Sequence, residues 1–211
     1  EKDPDGYITS QTFTDPLGNV VREKADGMYT DRTFDRSGNT IASYVYGESS
    51  AGEGGILTLS LYNENGSQTH TAVKPSVTDG TYNIGGDCIV TESRYDADGN
   101  VTASIDGEGH KTSMSYDIEG QLKQVMQPGG AVTKFSYGKV TSDGTSRVTT
   151  TDAGGNKSDV VTDARGLETS ITDYAGGTTA GIQRTYEYDW EGNVTKEKEL
   201  EGNCKTFTYD S

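Results

Sequence analysis

The stretch from Tyr95 to Tyr137 contains one 21-residue pattern written twice, and this stretch decides the fold. The first copy reads YDADGNVTASIDGEGHKTSMS and the second reads YDIEGQLKQVMQPGGAVTKFS. The same frame returns late in the chain, where Tyr188 and Tyr209 are again 21 residues apart. Self-similarity at a fixed period of 20–50 residues is typical of repeat architectures. The recurring positions are Tyr95, Asp96, Gly99, Gly109, Thr112, Tyr116, Asp117, Gly120, Gly130, Thr133, Tyr137, Tyr188, Asp189, Gly192, Gly202 and Tyr209.

Each copy holds two glycine turns, 10 residues apart, as at Gly99 and Gly109. About four residues per turn leave strands of five or six residues, the usual strand length. Residues 101–105 alternate between apolar and polar side chains, as in a strand with one apolar face. The sequence therefore predicts an all-β fold of tandem antiparallel hairpins, two strands to a repeat. Whether Tyr116 shares a face with Val101 depends on the loop length and stays open.

The turn residues have a physical logic. Glycine adopts positive φ without a steric penalty, and the Asn that follows it, as at Asn100, tolerates the left-handed conformation. An Asp that opens a turn accepts hydrogen bonds from the turn's own backbone. Many of the chain's acidic residues occupy such positions, so we interpret them as solvated turn residues.

Composition supports the all-β prediction and limits the function classes. The chain has 211 residues, 28 glycines and 13 tyrosines, with 30% hydrophobic residues. The tyrosines argue against disorder. The formal charge of −15 argues against nucleic acid and against anionic membrane surfaces as partners. No apolar run approaches the 18 residues of a membrane helix, so membrane insertion is not expected.

The frame also divides the chain, and the sequence predicts six segments. Segment 47–55 (GESSAGEGG) is a Gly/Ser-rich loop or seam, and in the next segment Leu57, Leu59 and Leu61 predict a strand with one buried face. Pro75 is expected only at an edge, a strand start or a bulge. The predicted segments are early repeats over 1–46, the loop over 47–55, diverged repeats with an insertion over 56–94, two regular repeats over 95–137, diverged hairpins over 138–181, and a repeat with the start of another over 182–211.

The residues Tyr95-Asp96-Ala97-Asp98-Gly99-Asn100-Val101 resemble the YD repeat, also called the RHS (rearrangement hotspot) repeat, and residues 116–122 and 188–194 repeat the resemblance. The resemblance implies a curved or spiralling strip of antiparallel strands. In bacterial polymorphic toxins and toxin complexes such strips close into hollow shells around a C-terminal toxic segment. Wall-associated bacterial proteins and animal teneurins carry them outside cells. The chain is thus expected to be an open fragment of a longer protein.

Candidate chemical sites have plainer interpretations. His110 follows a turn glycine and is expected to be an exposed turn residue. Asp96–Asn100 is expected to form a turn, because its glycine is fourth where an EF-hand loop needs it sixth. Asp15-Pro16-Leu17-Gly18 fits the Asp-Pro-x-Gly motif of the toxins' self-cleaving protease region, but it lies within a repeat turn. Cys88 and Cys204 are expected to be free thiols. No catalytic motif, metal site or cofactor is predicted.

The leading hypothesis is a non-catalytic scaffold of a large bacterial surface or secreted protein. Its partners would be neighbouring repeats of the parent chain and an encapsulated C-terminal segment, and its location extracellular or at the cell surface. The alternative is an adhesion module that binds a surface glycan or protein, with Trp190 as the possible binding residue, since aromatic side chains with one wet edge suit such contacts. The unpaired strands at the two ends of such a strip also predict association between copies.

Overall fold

The computed structural model describes residues 10–47, 54–77, 88–138, 141–176, 181–199 and 202–209. These residues form 17 β-strands and no helix, so no described helix could cross a membrane. The strands are β1 (Ser10–Thr14), β2 (Val20–Ala25), β3 (Met28–Phe34), β4 (Thr40–Gly47), β5 (Gly55–Tyr62), β6 (Gln68–Val77), β7 (Ile89–Tyr95), β8 (Val101–Ile105), β9 (Lys111–Tyr116), β10 (Leu122–Met126), β11 (Val132–Gly138), β12 (Ser146–Thr151), β13 (Lys157–Thr162), β14 (Glu168–Tyr174), β15 (Ile182–Tyr188), β16 (Val194–Glu199) and β17 (Cys204–Thr206).

The chain divides into two units, Glu1–Thr112 and Ser113–Ser211. In the first unit each strand from β1 to β8 pairs antiparallel with the next strand in the chain. In the second unit β9 to β17 follow the same rule. The predicted all-β fold of tandem antiparallel hairpins is confirmed. Strands β8, β9 and β10 have 5, 6 and 5 residues, as the glycine spacing predicted.

A small core lies in the first unit, on β4, β5 and β6. Tyr44, Leu57 and Val77 form the buried cluster, against which Tyr46 and Leu59 pack. Leu57 is the most buried of these side chains, with only 1% of its surface exposed. This site carries the largest apolar burial in the described chain.

Strand β5 confirms the predicted strand but not the predicted pattern of burial. Leu57 is buried and Leu59 half-buried, but Leu61 is 48% exposed, whereas Ser60 on the opposite parity is buried. A register shift between Leu61 and Tyr62 ends the regular ladder here, and the Ser60 hydroxyl accepts a hydrogen bond from Gln68 Nε2 at 2.8 Å. The leucine alternation therefore predicts a buried face only for the first half of the strand.

Pro75 lies where the ladder is irregular, as expected. Leu57 is paired with Lys74, and Gly55 with Val77, so the β5–β6 register shifts at the proline. Described pairing of β6 with β7 ends at Val73. The missing N–H of proline therefore costs no described ladder hydrogen bond.

The second unit is a single-layered sheet with two different faces. Because directly paired residues point to the same side, register assigns Tyr137, Val148, Val160 and Ile171 to one face. The neighbouring residues on these strands, Ser136, Thr149, Asp159 and Thr172, lie on the other face. None of the residues described in this unit is fully buried.

Two predicted features remain predictions. Residues 48–53 of the Gly/Ser-rich segment and 78–87 of the expected insertion lie outside the described residues. The six-segment division and the curvature of the strip are likewise not decided by strand pairing.

Candidate functional site

A five-residue turn recurs along this molecule, and the turn that Asp96 opens is a complete example. The backbone N–H of Asp96 donates to the Asn100 carbonyl, and the Gly99 N–H donates back to the Asp96 carbonyl. The Asp96 carboxylate accepts hydrogen bonds from the Asp98 and Asn100 backbone N–H groups at 3.0 and 2.8 Å, and from Asn100 Nδ2 at 3.1 Å. One side chain thus fixes the backbone of the whole turn.

The same pair of backbone hydrogen bonds recurs along the described chain. Asn63 takes the place of aspartate in one turn, and Gln127, Thr141 and Glu199 do so in three others. The fourth residue is a glycine in every case, with φ of +87° at Gly99, a region that residues with a Cβ avoid. The turns are 15–19, 35–39, 63–67, 96–100, 106–110, 117–121, 127–131, 141–145, 152–156, 163–167, 189–193 and 199–203.

The role predicted for the Asn after the turn glycine is wrong. Asp26 is the one non-glycine residue with positive φ in the described chain, so Asn100 and its equivalents do not need the left-handed conformation. Their side-chain amide instead donates to the turn carboxylate, as Asn193 Nδ2 does to Asp189 at 3.0 Å. Hydrogen bonding, rather than backbone freedom, accounts for this residue.

These hydrogen bonds favour the charged carboxylates. The pKa of Asp96 is lowered from its ordinary value of 3.8, first because the Asn100 side chain donates to it. The pKa of Asp189 is lowered for the same reason by Asn193. At Asp143 the Thr141 hydroxyl is the main donor, and the pKa falls to about 2. These three carboxylates are therefore ionised hydrogen-bond acceptors at neutral pH.

In each unit the turns fall on two opposite edges of the sheet. Connections that follow odd-numbered strands lie at one end of the strands, and we call this side of the sheet the tyrosine edge. Seven of the eight connections on the tyrosine edge are five-residue turns that join the two strands directly. Connections on the other edge vary from the two residues Asp26 and Gly27 to the segments 48–54, 78–88 and 175–181. Length variation is therefore concentrated on this second edge, whereas on the tyrosine edge only the connection 139–145 is longer than five residues.

Repeat tyrosines link successive turns along the tyrosine edge. Tyr188, at the end of β15, donates its hydroxyl hydrogen to the carbonyl of Glu168, the first residue of β14, at 2.6 Å. In each such bond the tyrosine hydroxyl donates to the carbonyl of the residue that follows the previous turn on the same edge. The others join Tyr62 to Thr40 at 3.0 Å, Tyr95 to Gln68 at 2.8 Å, Tyr137 to Leu122 at 2.9 Å and Tyr209 to Val194 at 2.9 Å.

The remaining recurring positions occupy equivalent places in the ladder. Tyr116 closes β9 opposite Leu122, immediately before the Asp117 turn. The Asp117 carboxylate accepts the Glu119 and Gln121 backbone N–H groups, both at 2.9 Å. Gly109, Gly120, Gly130, Gly192 and Gly202 all have φ between +79° and +93°. Thr112 lies in β9, and Thr133 lies in β11 opposite Val125.

A second threonine set was missed by sequence reasoning. The Thr102 hydroxyl donates to the Arg94 carbonyl across the hairpin at 3.2 Å, and Thr195 does the same to Glu187 at 3.1 Å. Thr69 and Thr169 repeat this contact. The signal was present, because each of these threonines stands six residues after the residue that opens its turn.

The tips of the tyrosine edge carry exposed apolar side chains. Trp190 is 86% exposed and lies on the Asp189 turn, outside strand β15. Ile118 occupies the same position in the Asp117 turn and is also fully exposed. In the second unit these two tips are separated by the turns at 141–145 and 163–167, so they form no continuous patch.

The sequence motifs with apparent chemistry are turn residues. His110 lies in the 106–110 turn, where its Nδ1 is 3.1 Å from Asp106 Oδ2, the place that Asn takes elsewhere. Asp15-Pro16-Leu17-Gly18 is an ordinary repeat turn, with Asn19 bonded to Asp15. Neither Cys88 nor Cys204 forms a disulfide bond within the described residues. Within the described ranges, no three acidic, histidine or cysteine side chains converge as metal ligands do.

A cluster of charged and aromatic side chains lies on β2, β3 and β4 in the first unit. Arg22 and Asp31 form a bidentate ion pair, with Nε–Oδ1 at 2.5 Å. Tyr29 stacks on Tyr46 at 5.4 Å between ring centroids, and Arg22 lies over the Tyr29 ring. Burial, followed by the Asp31 charge, raises the pKa of Tyr46. This cluster joins neighbouring strands of the first unit through an ion pair and stacked rings.

The chain is therefore a β-hairpin repeat protein, defined by its turn carboxylates, turn glycines and edge tyrosines. The RHS repeat family matches residues 95–125, which confirms the resemblance drawn from Tyr95–Val101. Two solved structures are similar in fold. "Crystal Structure of TcdB2-TccC3-Cdc42" aligns over 95% of this chain at 15% identity with a TM-score of 0.57. "Crystal Structure of TcdB2-TccC3" aligns over 90% at 13% identity with a TM-score of 0.54.

The chain spans only 12% of the length of each of these two structures. No curated protein matches it in sequence. The structural likeness therefore concerns the fold of the repeat strip.

Proposed function

We propose that the chain is a non-catalytic wall segment of a large RHS-repeat protein, in which it helps to enclose a C-terminal segment of the same polypeptide. The observation that carries the proposal is the tyrosine edge, where five hydroxyl-to-carbonyl bonds tie one repeat to the previous one. Such nearest-neighbour contacts suit a structure whose length grows by adding repeats. The fold likeness to the TcdB2-TccC3 structures supports it.

The recurring residues have structural roles in this proposal. The aspartates and glycines define the turns, and five tyrosine and four threonine hydroxyls bond neighbouring strands. The location would be outside the producing cell or at its surface, as in the proteins that the repeat resembles.

Electron microscopy of a longer chain that contains these residues tests the proposal. Negative-stain images should show a hollow body, and limited proteolysis should leave a C-terminal segment protected inside it. A compact globule, or a C-terminal segment as accessible as the repeat turns, would contradict the enclosing role.

Trp190 favours a second candidate, a surface module that binds a glycan or a protein. An 86% exposed tryptophan on a rigid turn is a typical contact residue for sugars and protein surfaces. A glycan array would test this function, with Trp190→Ala as the binding variant and Ile118→Ala, at the same position of another turn, as the matched control. Binding lost only with Trp190→Ala supports the module, and binding kept in both variants contradicts it.

A further inference from the structure

Two stacked tyrosines join neighbouring strands of the first unit, and we call Tyr29 and Tyr46 the tyrosine pair. Tyr29 lies in β3 and is directly paired with Tyr46 in β4. Their ring centroids are 5.4 Å apart and their ring planes differ by only 19°. Directly opposite residues of an antiparallel ladder have Cβ atoms about 4.5–5.5 Å apart, so the backbone itself keeps these two rings together.

The Tyr46 hydroxyl is placed to lose its proton to a carboxylate. It donates a hydrogen bond to Asp31 Oδ2 at 3.3 Å. Burial, followed by the Asp31 charge, raises the pKa of Tyr46 above its ordinary value of 10.0, so this phenol is neutral at pH 7. A neutral phenol that gives up an electron becomes strongly acidic and releases its proton to a nearby base. Asp31 is the nearest such base, and its ion pair with Arg22 holds the carboxylate in position.

Tyr29 has a different environment, because two cations lie over its ring. Arg22 Cζ is 5.9 Å and Lys24 Nζ is 5.4 Å from the ring centroid. A cation over an aromatic face is held by the electrons of the ring, so the removal of an electron from that ring is disfavoured. The first electron therefore leaves Tyr46 more easily than Tyr29, and the resulting Tyr46 radical lies directly against a second phenol ring.

We propose that the tyrosine pair is an oxidative cross-linking site, at which a one-electron oxidant joins Tyr29 and Tyr46 as dityrosine. Each phenol gives one electron to the oxidant and releases its hydroxyl proton, which passes from Tyr46 to Asp31 and on to solvent. The two radicals form one carbon–carbon bond between ring carbons next to the hydroxyls. The hydrogen on each of these carbons then moves to the phenol oxygen and restores both hydroxyls, so the net loss is two electrons and two protons.

Tyr44 also stacks on Tyr46, but its packing prevents it from being the partner in this bond. The two ring centroids are 5.0 Å apart and the ring planes differ by 26°. Tyr44 is buried, and a Cβ added at Gly55 would lie only 2.6 Å from the Tyr44 ring. Coupling requires one stacked ring to slide over the other until the two carbons meet. Tyr29 is only half-buried and has room to slide, whereas Tyr44 is held within the core.

The cross-link would close a covalent loop that contains the 35–39 turn. A covalent bond of this kind restricts the unfolded chain more than the folded one. It ties β3 to β4 beside the small core of the first unit, and it depends on no part of the enclosing role.

Photo-oxidation of the purified chain with a ruthenium tris-bipyridyl complex and persulfate tests the proposal. Persulfate accepts the electrons, and a low protein concentration favours bonds within one chain. Dityrosine fluorescence should appear in the monomer, and mass spectrometry after trypsin digestion should find the peptides of Tyr29 and Tyr46 joined, lighter than their sum by two hydrogen atoms. Fragmentation of the joined peptide from the unmodified chain should place the bond at Tyr46, and this result depends on no variant.

Phenylalanine variants provide the matched comparison, because they keep the stacked rings and remove one hydroxyl at a time. Tyr29→Phe and Tyr46→Phe should each abolish the joined peptide, whereas Tyr44→Phe should leave it intact, with circular dichroism showing unchanged β structure in all three. A bond that fragmentation places at Tyr44, a joined peptide that persists in Tyr46→Phe, or dityrosine formed only between chains or at other tyrosines would each overturn the proposal.

Discussion

Replacing Tyr188 by phenylalanine isolates one bond of the tyrosine edge. The hydroxyl donates to the Glu168 carbonyl at 2.6 Å and the ring stays in place in Tyr188→Phe. A neutral hydrogen bond contributes about 0.5–1.5 kcal/mol net. The Glu168 backbone is exposed enough to bind water after the substitution, so we expect the lower part of that range, about 0.5–1 kcal/mol.

Urea and thermal unfolding followed by circular dichroism would measure this loss. A change of about 1 kcal/mol lowers Tm by about 2–4 °C in a chain of this size. Tyr186→Phe is the matched control, because Tyr186 lies two residues earlier in β15 and its hydroxyl makes no hydrogen bond within the described residues. Equal midpoints for the two variants would refute the role given to the edge tyrosines.

The pH dependence adds an independent check on Tyr188. Burial, with the Glu168 charge as the next cause, raises its pKa above the ordinary value of 10.0. The stability that the neutral hydroxyl contributes is therefore present below pH 10 and is lost as the pH rises through the folded pKa. The difference between wild type and Tyr188→Phe should shrink in that alkaline window, and a constant difference would contradict the assignment.

Three further outcomes follow from the turns. Gly120→Ala should lower the free energy of unfolding in urea by about 1–2 kcal/mol, because φ of Gly120 is +79° and an added Cβ would meet no other atom, so that only the backbone conformation is strained. Gly120→Asn should lower the free energy of unfolding less, and equal losses for the two variants would contradict a conformational origin. Asn100→Asp should lower the urea midpoint at pH 7, since a second carboxylate replaces the amide that donates to Asp96, and the difference from wild type should decrease as the pH drops towards 4. Asn65→Asp, in a turn position without that contact, is the control. Equal decreases in the urea midpoint for the two variants would contradict the argument. The lowered pKa values of Asp96 and Asp189 predict that stability declines only as the pH falls below about 3.8 through the folded pKa values, and an acid-unfolding midpoint above that value would argue against the turn bonds.

Much of the fold was predictable because local chemistry determines it. The glycine spacing predicted the strand lengths of β8 to β10, and an Asp before a glycine at each end of a strand predicted the hairpins. The sequence also showed that apolar and polar residues alternate over Val101–Ile105, and Ala103 is indeed buried while Ser104 is exposed. These features depend on residues a few positions apart.

Features that depend on register across strands were not predictable. The acceptor for each of the five bonded tyrosines is a backbone carbonyl 15 to 27 residues away, and a carbonyl has no sequence signature. The face of Tyr137 became clear only from its pairing with Val148. Likewise the burial of Ser60 and the exposure of Leu61 follow from a register shift at the end of β5.

The tyrosine bonds make the length of the chain adjustable. Tyr137 and Tyr209 reach carbonyls 15 residues back, where five-residue turns join their strands, and Tyr62 and Tyr95 reach 22 and 27 residues back across longer connections. Each bond depends only on the preceding turn of the tyrosine edge, and not on the length of the connection at the opposite edge. A gene that gains or loses a whole repeat by recombination would therefore give every tyrosine a new acceptor of the same kind, so that duplication and deletion cost such a protein little in folding.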